Sequence, residues 1–179
     1  MVATRLVTVD EFAAAPLNGL WELVDGEMIE LSPNAGRSGW IGGQLVAFLN
    51  EHVRPGGLGW VFPADTGFVL FNDRATVRSP DAAFVRRDRL PELTDTFVPV
   101  APDLAAEVLS PSDRMADALA KVAMYLDAGV RMVLLVDPDT HTITVFRPVG
   151  PPTKLGIGDT LDGGDVLPGF SVAVAEIFA

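Results

Sequence analysis

Glu107 interrupts a run, Ala105 to Leu109, that is apolar at every other position. A run of this kind predicts a strand buried on both faces. A charged carboxylate inside it needs compensation, because its lost hydration is costly. A cationic side chain, a hydrogen-bond cluster or a metal ion would serve. A second acid, Asp81, follows Pro80 near the start of another predicted strand, with 25 residues between it and Glu107. Neighbouring strands lie about 4.8 Å apart, so two acids on one face can share one hard cation. Magnesium takes oxygen ligands at about 2.0–2.1 Å, often one or two carboxylates completed by waters and substrate phosphate. The backbone carbonyl of Val108 is a further oxygen donor. An ion so held would activate water and stabilise charge building up at phosphorus. Lys121, on the helix after the Glu107 strand, would orient that water, or act as a base if burial lowered its pKa.

The elements around these residues must bring them together. Alternation sets Ala105, Glu107 and Leu109 on one face of the strand and Ala106 and Val108 on the other. Ser110-Pro111 with Asp113 resembles a helix start, predicting a helix over 111–128 with Met115, Leu119, Val122 and Leu126 on its buried side and Gly129 closing it. Lys121 would sit about 15 Å along that helix. Glu107 would sit about 10 Å before the end of its strand, so a helix folded back over the sheet brings the two to one level. Upstream, Thr8 and Glu11 form a capping-box pattern for a short helix ended by Pro16. Leu20–Val24 and Glu27–Leu31 flank Asp25-Gly26, a hairpin signature. An amphipathic helix is predicted over 38–53, stopped by Pro55-Gly56-Gly57. Strands are predicted within 60–71, over 77–85, 131–136 and 143–146, and a short element over 172–178. The order predicts an α+β fold, a mixed β-sheet with a central packed helix, in one domain over 1–179.

Composition narrows the class. The 179 residues are 49% hydrophobic and 21% charged, which supports a real core and excludes disorder. No apolar run approaches the length of a membrane span, and the first ten residues lack the apolar core of a secretory signal. There is no cysteine, hence neither disulfide nor thiolate ligand, and a cytoplasmic setting is expected. Two histidines are too few for a histidine-built zinc site. A net charge of −11 argues against coating nucleic acid by bulk electrostatics. It leaves room for a nucleic-acid enzyme whose acids are neutralised locally by divalent ions.

Pro80-Asp81 followed at a distance by Glu107 resembles the PD-(D/E)XK nuclease signature. Trp21-Glu-Leu-Val-Asp-Gly26, Ser79-Pro-Asp81, Ala101-Pro-Asp103, Glu107-Val-Leu-Ser-Pro-Ser112, Lys121 with Tyr125, Gly129-Val130, Val136-Asp-Pro138 and Leu167-Pro-Gly-Phe170 extend the likeness in order along nearly the whole chain. Together they resemble the Uma family of restriction-endonuclease-like proteins. The resemblance implies a restriction-endonuclease-like core, a magnesium or manganese cofactor and DNA as substrate. It implies Asp81 and Glu107 as the two motif acids. It also implies Lys121 as replacement for the motif lysine, whose usual place is taken by Leu109, and Glu22 as a contributor to the acidic cluster. Ser38 stands where the family often has histidine, and Arg131-Met132 where an acidic–aromatic pair often follows Gly-Val. A homodimer is expected by analogy, since two-fold substrates suit two-fold enzymes.

Blander readings stand beside these. Glu107 would equally suit a buried ion pair with Lys121 or an arginine. Asp81 would open a strand, and Lys121 would pair with Asp117 one turn earlier. Glu22 would brace its hairpin, and Tyr125 would pack on the sheet with its hydroxyl satisfied. Arg86, Arg87 and Arg89 would form a solvated loop face. A non-catalytic, partner-binding scaffold on the same fold and a hydrolase of small phosphodiesters are the rival functions.

Overall fold

The computed structural model describes residues 5–179. Helix α1 (Val9–Ala14) precedes the hairpin β1 (Leu20–Val24) and β2 (Glu27–Leu31), and helix α2 (Gly36–Gly56) follows. Next come β3 (Gly59–Pro63), β4 (Phe68–Phe71), β5 (Thr76–Arg78), β6 (Ala82–Arg86) and β7 (Leu104–Val108). Helix α3 (Met115–Asp127) connects β7 to β8 (Met132–Asp137). The chain ends with β9 (Thr142–Phe146), β10 (Thr153–Leu155), β11 (Thr160–Asp162), β12 (Ser171–Ala173) and the single turn α4 (Val174–Ile177).

A six-stranded mixed sheet, ordered β10-β9-β8-β7-β6-β3, forms the centre. Only β7 and β8 pair in parallel, as their helical crossover α3 requires. A four-stranded antiparallel sheet, β2-β1-β5-β4, stands beside it. Helices cover both faces of the central sheet. Ile41, Leu45, Leu49 and Val53 of α2 pack with Leu104, Ala106 and Val108 on one side. Ala118, Val122 and Tyr125 of α3 pack with Ala83, Ala105, Val133 and Leu135 on the other. Every residue of β7 is buried, as its composition predicted, and its faces divide as the alternation required. No described helix is long and apolar enough to cross a membrane.

Local signals held at α1, where Thr8 and Glu11 make both bonds of the capping box. They held at the β1–β2 hairpin, where Asp25 and Gly26 take positive φ of 48° and 80°. Three expectations need correction. The strand predicted over 77–85 is two strands: β5 belongs to the smaller sheet and β6 to the central one, with the chain crossing between them at Ser79-Pro80-Asp81. Proline has no N–H for a ladder, so the crossover falls there. Second, α3 starts at Met115 rather than Pro111. The Asp113 carboxylate accepts from the Ser110 amide at 2.7 Å, and the Asp113 amide donates to the Ser110 carbonyl at 3.0 Å, closing a separate turn. Third, Met115 and Leu119 are exposed, at 50% and 43%, and the buried side of α3 runs through Ala118, Val122 and Tyr125 instead. The rotation has a polar cause, described below.

A Cβ placed on Gly26 would lie 2.8 Å from the Leu6 Cβ, and the backbone there already has positive φ. Gly26→Ala should therefore destabilise the fold by about 1–3 kcal/mol, read as a lower urea midpoint with unchanged slope.

Candidate active site

Pairing between β6 and β7 ends at Ala82 opposite Ala106. Continuing the register sets Asp81 opposite Glu107 and Pro80 opposite Val108. The Val108 N–H points to the β6 side, where it donates to Asp81 Oδ2 at 2.7 Å. The ladder stops here, and Pro80 has no N–H with which to extend it. Asn34, in the loop before α2, donates to Asp81 Oδ1 at 2.8 Å. Asp81 is thus held by a strand amide on one oxygen and a loop amide on the other.

Glu107 is only 7% exposed. Lys121 Nζ donates to its Oε2 at 2.8 Å, and the Tyr125 hydroxyl donates to its Oε1 at 2.7 Å. Lys121 and Tyr125 are one helical turn apart and share a face of α3. That face must turn to the sheet if Glu107 is to be satisfied, and this displaces Met115 and Leu119 outward. The Asp117 alternative for Lys121 gives way to Glu107 for the same reason. Glu22 is wholly buried. Its Oε2 accepts from Arg78 Nη1 at 2.5 Å and its Oε1 from the Ser79 amide at 2.9 Å. Glu22 therefore clamps the chain immediately before Pro80-Asp81.

Burial raises the Asp81 carboxyl above the usual carboxylate range, against the pull of the Val108 and Asn34 amides and Lys121. Burial raises Glu107 as well; Lys121 opposes the shift and the nearby Asp81 charge reinforces it. For Lys121 burial acts downward, but Glu107 and Glu22 outweigh it and the ammonium ends above its ordinary value. Lys121 is therefore a cation at neutral pH and does not meet the condition for a base. Burial, then Glu107, raises Tyr125 well above its usual range, so its hydroxyl stays a donor.

Asp81, Glu107, Val108, Lys121, Asn34 and Ser79 line one cleft of about 640 Å³; Glu22 lies outside its lining. No three histidine, cysteine or acidic side chains converge on a metal-sized site among the described residues. The donors present are nonetheless hard oxygens: two carboxylates with lone pairs to spare and the backbone carbonyl of Val108, which also lines the cleft. Magnesium, which commonly takes only one or two carboxylates, fits that set. The basic loop is structural. Arg86 pairs with Asp88, Arg89 with the buried Asp103, and Arg87 lies over the Trp60 ring at 4.1 Å.

The Uma2 family, described as "Putative restriction endonuclease", matches residues 9–175. The chain belongs to this family. A solved structure, described as a "putative nuclease belonging to DUF820" from Anabaena variabilis, matches with a TM-score of 0.81 and 22% sequence identity, over 96% of this chain and 97% of that one. At that identity the likeness establishes the fold, an α+β arrangement around a mixed sheet. No functionally curated protein matches the chain. Family membership thus makes this chain nuclease-like, in agreement with the motif order.

Sequence reasoning missed the roles of Asn34 and Arg78 and the bond from Tyr125 to Glu107. Arg78 had a signal, a lone charge closing the short β-branched run Thr76-Val77. Tyr125 had one too, its spacing from Lys121. Asn34 had none, because a 47-residue separation hides its bond to Asp81.

Glu22→Ala should cost about 3–5 kcal/mol, because it leaves Arg78 buried without its partner. Urea unfolding checks this. A pH prediction follows from the raised carboxyls. Their native forms hold protons more tightly than the unfolded chain, so their contribution to stability is full below the ordinary carboxylate range and is lost as pH rises through the raised values. The unfolding free energy of wild type, relative to Glu107→Gln, should therefore fall between acid and neutral pH in metal-free buffer.

Proposed function

We propose that this chain is one PD-(D/E)XK nuclease-like domain, a magnesium- or manganese-dependent endonuclease hydrolysing phosphodiester bonds of DNA. The observation that carries the reading is the opening of Asp81 and Glu107 into one cleft beside the Lys121 ammonium. Asp81, Glu107 and the Val108 carbonyl would hold the ion. When bound, such an ion supplies Lewis acidity toward a phosphoryl oxygen and toward water. Asn34 and the Val108 amide fix the aim of Asp81. Tyr125 fixes Glu107. Lys121 contributes fixed positive charge where negative charge develops at phosphorus, and steers the attacking water by hydrogen bonding. Glu22 works at one remove, as a positioning residue that holds Arg78 and the Ser79 backbone against the site.

One observation favours a non-catalytic scaffold instead. No buried side-chain nitrogen or oxygen among the described residues lacks a hydrogen-bond partner, even without an ion. Calorimetry with magnesium separates the two, since a scaffold should give no binding heat and no difference in the Asp81→Ala variant.

Cleavage of single-stranded and plasmid DNA in magnesium or manganese should fall by at least about a hundredfold in Asp81→Ala and in Glu107→Ala, and chelation should abolish it. Equal cleavage of both substrates by wild type and both variants would refute the assignment.

A further inference from the structure

The cleft is poorly built for a double helix. Among its lining residues Lys121 is the only lysine or arginine, whereas Glu30, Asp65 and Asp113 add carboxylates to those of Asp81 and Glu107. The rest of the chain does little to offset this. Of the twelve lysines and arginines other than Lys121, seven pair with carboxylates. Duplex DNA presents a charge about every 1.7 Å along its axis, and proteins that grip it neutralise several phosphates at once. Here a duplex would meet one ammonium and an acidic rim.

Apolar side chains also line the cleft. Leu17, Leu20, Trp21, Leu31 and Phe97 come from the loop after α1, the β1–β2 hairpin and the loop before β7, with Phe97 stacked on the buried Phe12. The Trp21 indole is fixed in place by its N–H, which donates to the Asn18 carbonyl at 2.9 Å. A volume of about 640 Å³ is that of a small-ligand site. Aromatic and apolar surface beside a single cation suits unstacked bases, which every strand can offer and a paired helix cannot.

We propose that this site takes an unpaired DNA strand, with one or two splayed nucleotides against the Trp21 wall and a single phosphodiester at Lys121. The proposal rests on the nuclease reading above and narrows its substrate. Strand selection comes from exclusion as well as attraction: the acidic rim repels a second backbone, and the apolar wall needs bases free of partners.

The test is fluorescence anisotropy of the whole chain in magnesium, with a labelled single-stranded oligonucleotide and the same oligonucleotide annealed to its complement. Cleavage of both, and of bis(4-nitrophenyl) phosphate, is followed in parallel. The single strand should bind and be cut at least about tenfold better than the duplex. Its affinity should fall only gently with salt, with a log–log slope of about −1, as expected for one or two phosphate contacts. Trp21→Leu should weaken strand binding roughly tenfold. A melting curve verifies that the variant is folded; should it not fold, the strand comparison and salt slope on the wild-type chain decide. Preference for the duplex, or a steep salt slope, overturns the proposal. So does hydrolysis of the small ester with neither oligonucleotide bound, which would leave phosphodiester hydrolysis standing. Strand binding with no hydrolysis of any substrate in magnesium or manganese would instead sink the nuclease reading while the strand preference survived.

Discussion

A carboxylate held inside a strand that is buried on both faces governs this molecule. Glu107 is largely shielded from solvent, and its two oxygens are met by Lys121 and Tyr125 at 2.8 and 2.7 Å. Leaving either partner out would strand a buried polar group, at a cost of about 1–3 kcal/mol or more for a charge. That cost exceeds what α3 gains by hiding Met115 or Leu119 fully, because each remains half-covered where it is. The helix therefore rolls to serve the acid. The same roll sets an ammonium in the lining of the cleft, so one rotation serves both the folding requirement and the proposed chemistry.

The second organising feature is the passage between sheets at Ser79-Pro80-Asp81. A proline ends one ladder, and the next residue turns its carboxylate back onto the Val108 amide. Glu22 and Arg78 secure the near side of this passage in a buried pair. Such pairs are weak sources of stability against an apolar alternative but punishing to break, which suits a joint that must keep one geometry. The two sheets therefore meet at a fixed point, and the acids sit on it.

Charge is spent inward in this chain. Arg78, Arg89 and Lys121 all serve buried carboxylates, and exposed arginines such as Arg74 and Arg131 answer nearby aspartates. A protein with net charge −11 that uses its cations this way leaves a field that repels phosphate everywhere except where a cation is concentrated. Long-range steering contributes little to such a site, so local contacts must carry recognition.

The sequence by itself determined what depends on neighbours along the chain. The capping box at Thr8, the Asp25-Gly26 turn, the doubly buried β7 and the membership of Ala105 and Val108 in opposite faces all follow from local sterics and alternation. The isolated acid at Glu107 and its ordered companions marked the family and the proposed site for the same reason: charge within an apolar run is visible without coordinates. Tertiary structure decided the rest. Which side of α3 faces inward depended on bonds to a residue 14 positions away, against an apolar stripe that pointed elsewhere. The splitting of the stretch over 77–85 between two sheets depended on partners that only the assembled fold supplies. Asn34 reached Asp81 across 47 residues, and Glu22 reached Arg78 across 56. Periodicity records burial averaged over a segment, whereas a buried charge is settled by individual atoms brought close in space, and those distances exist only once the chain has folded.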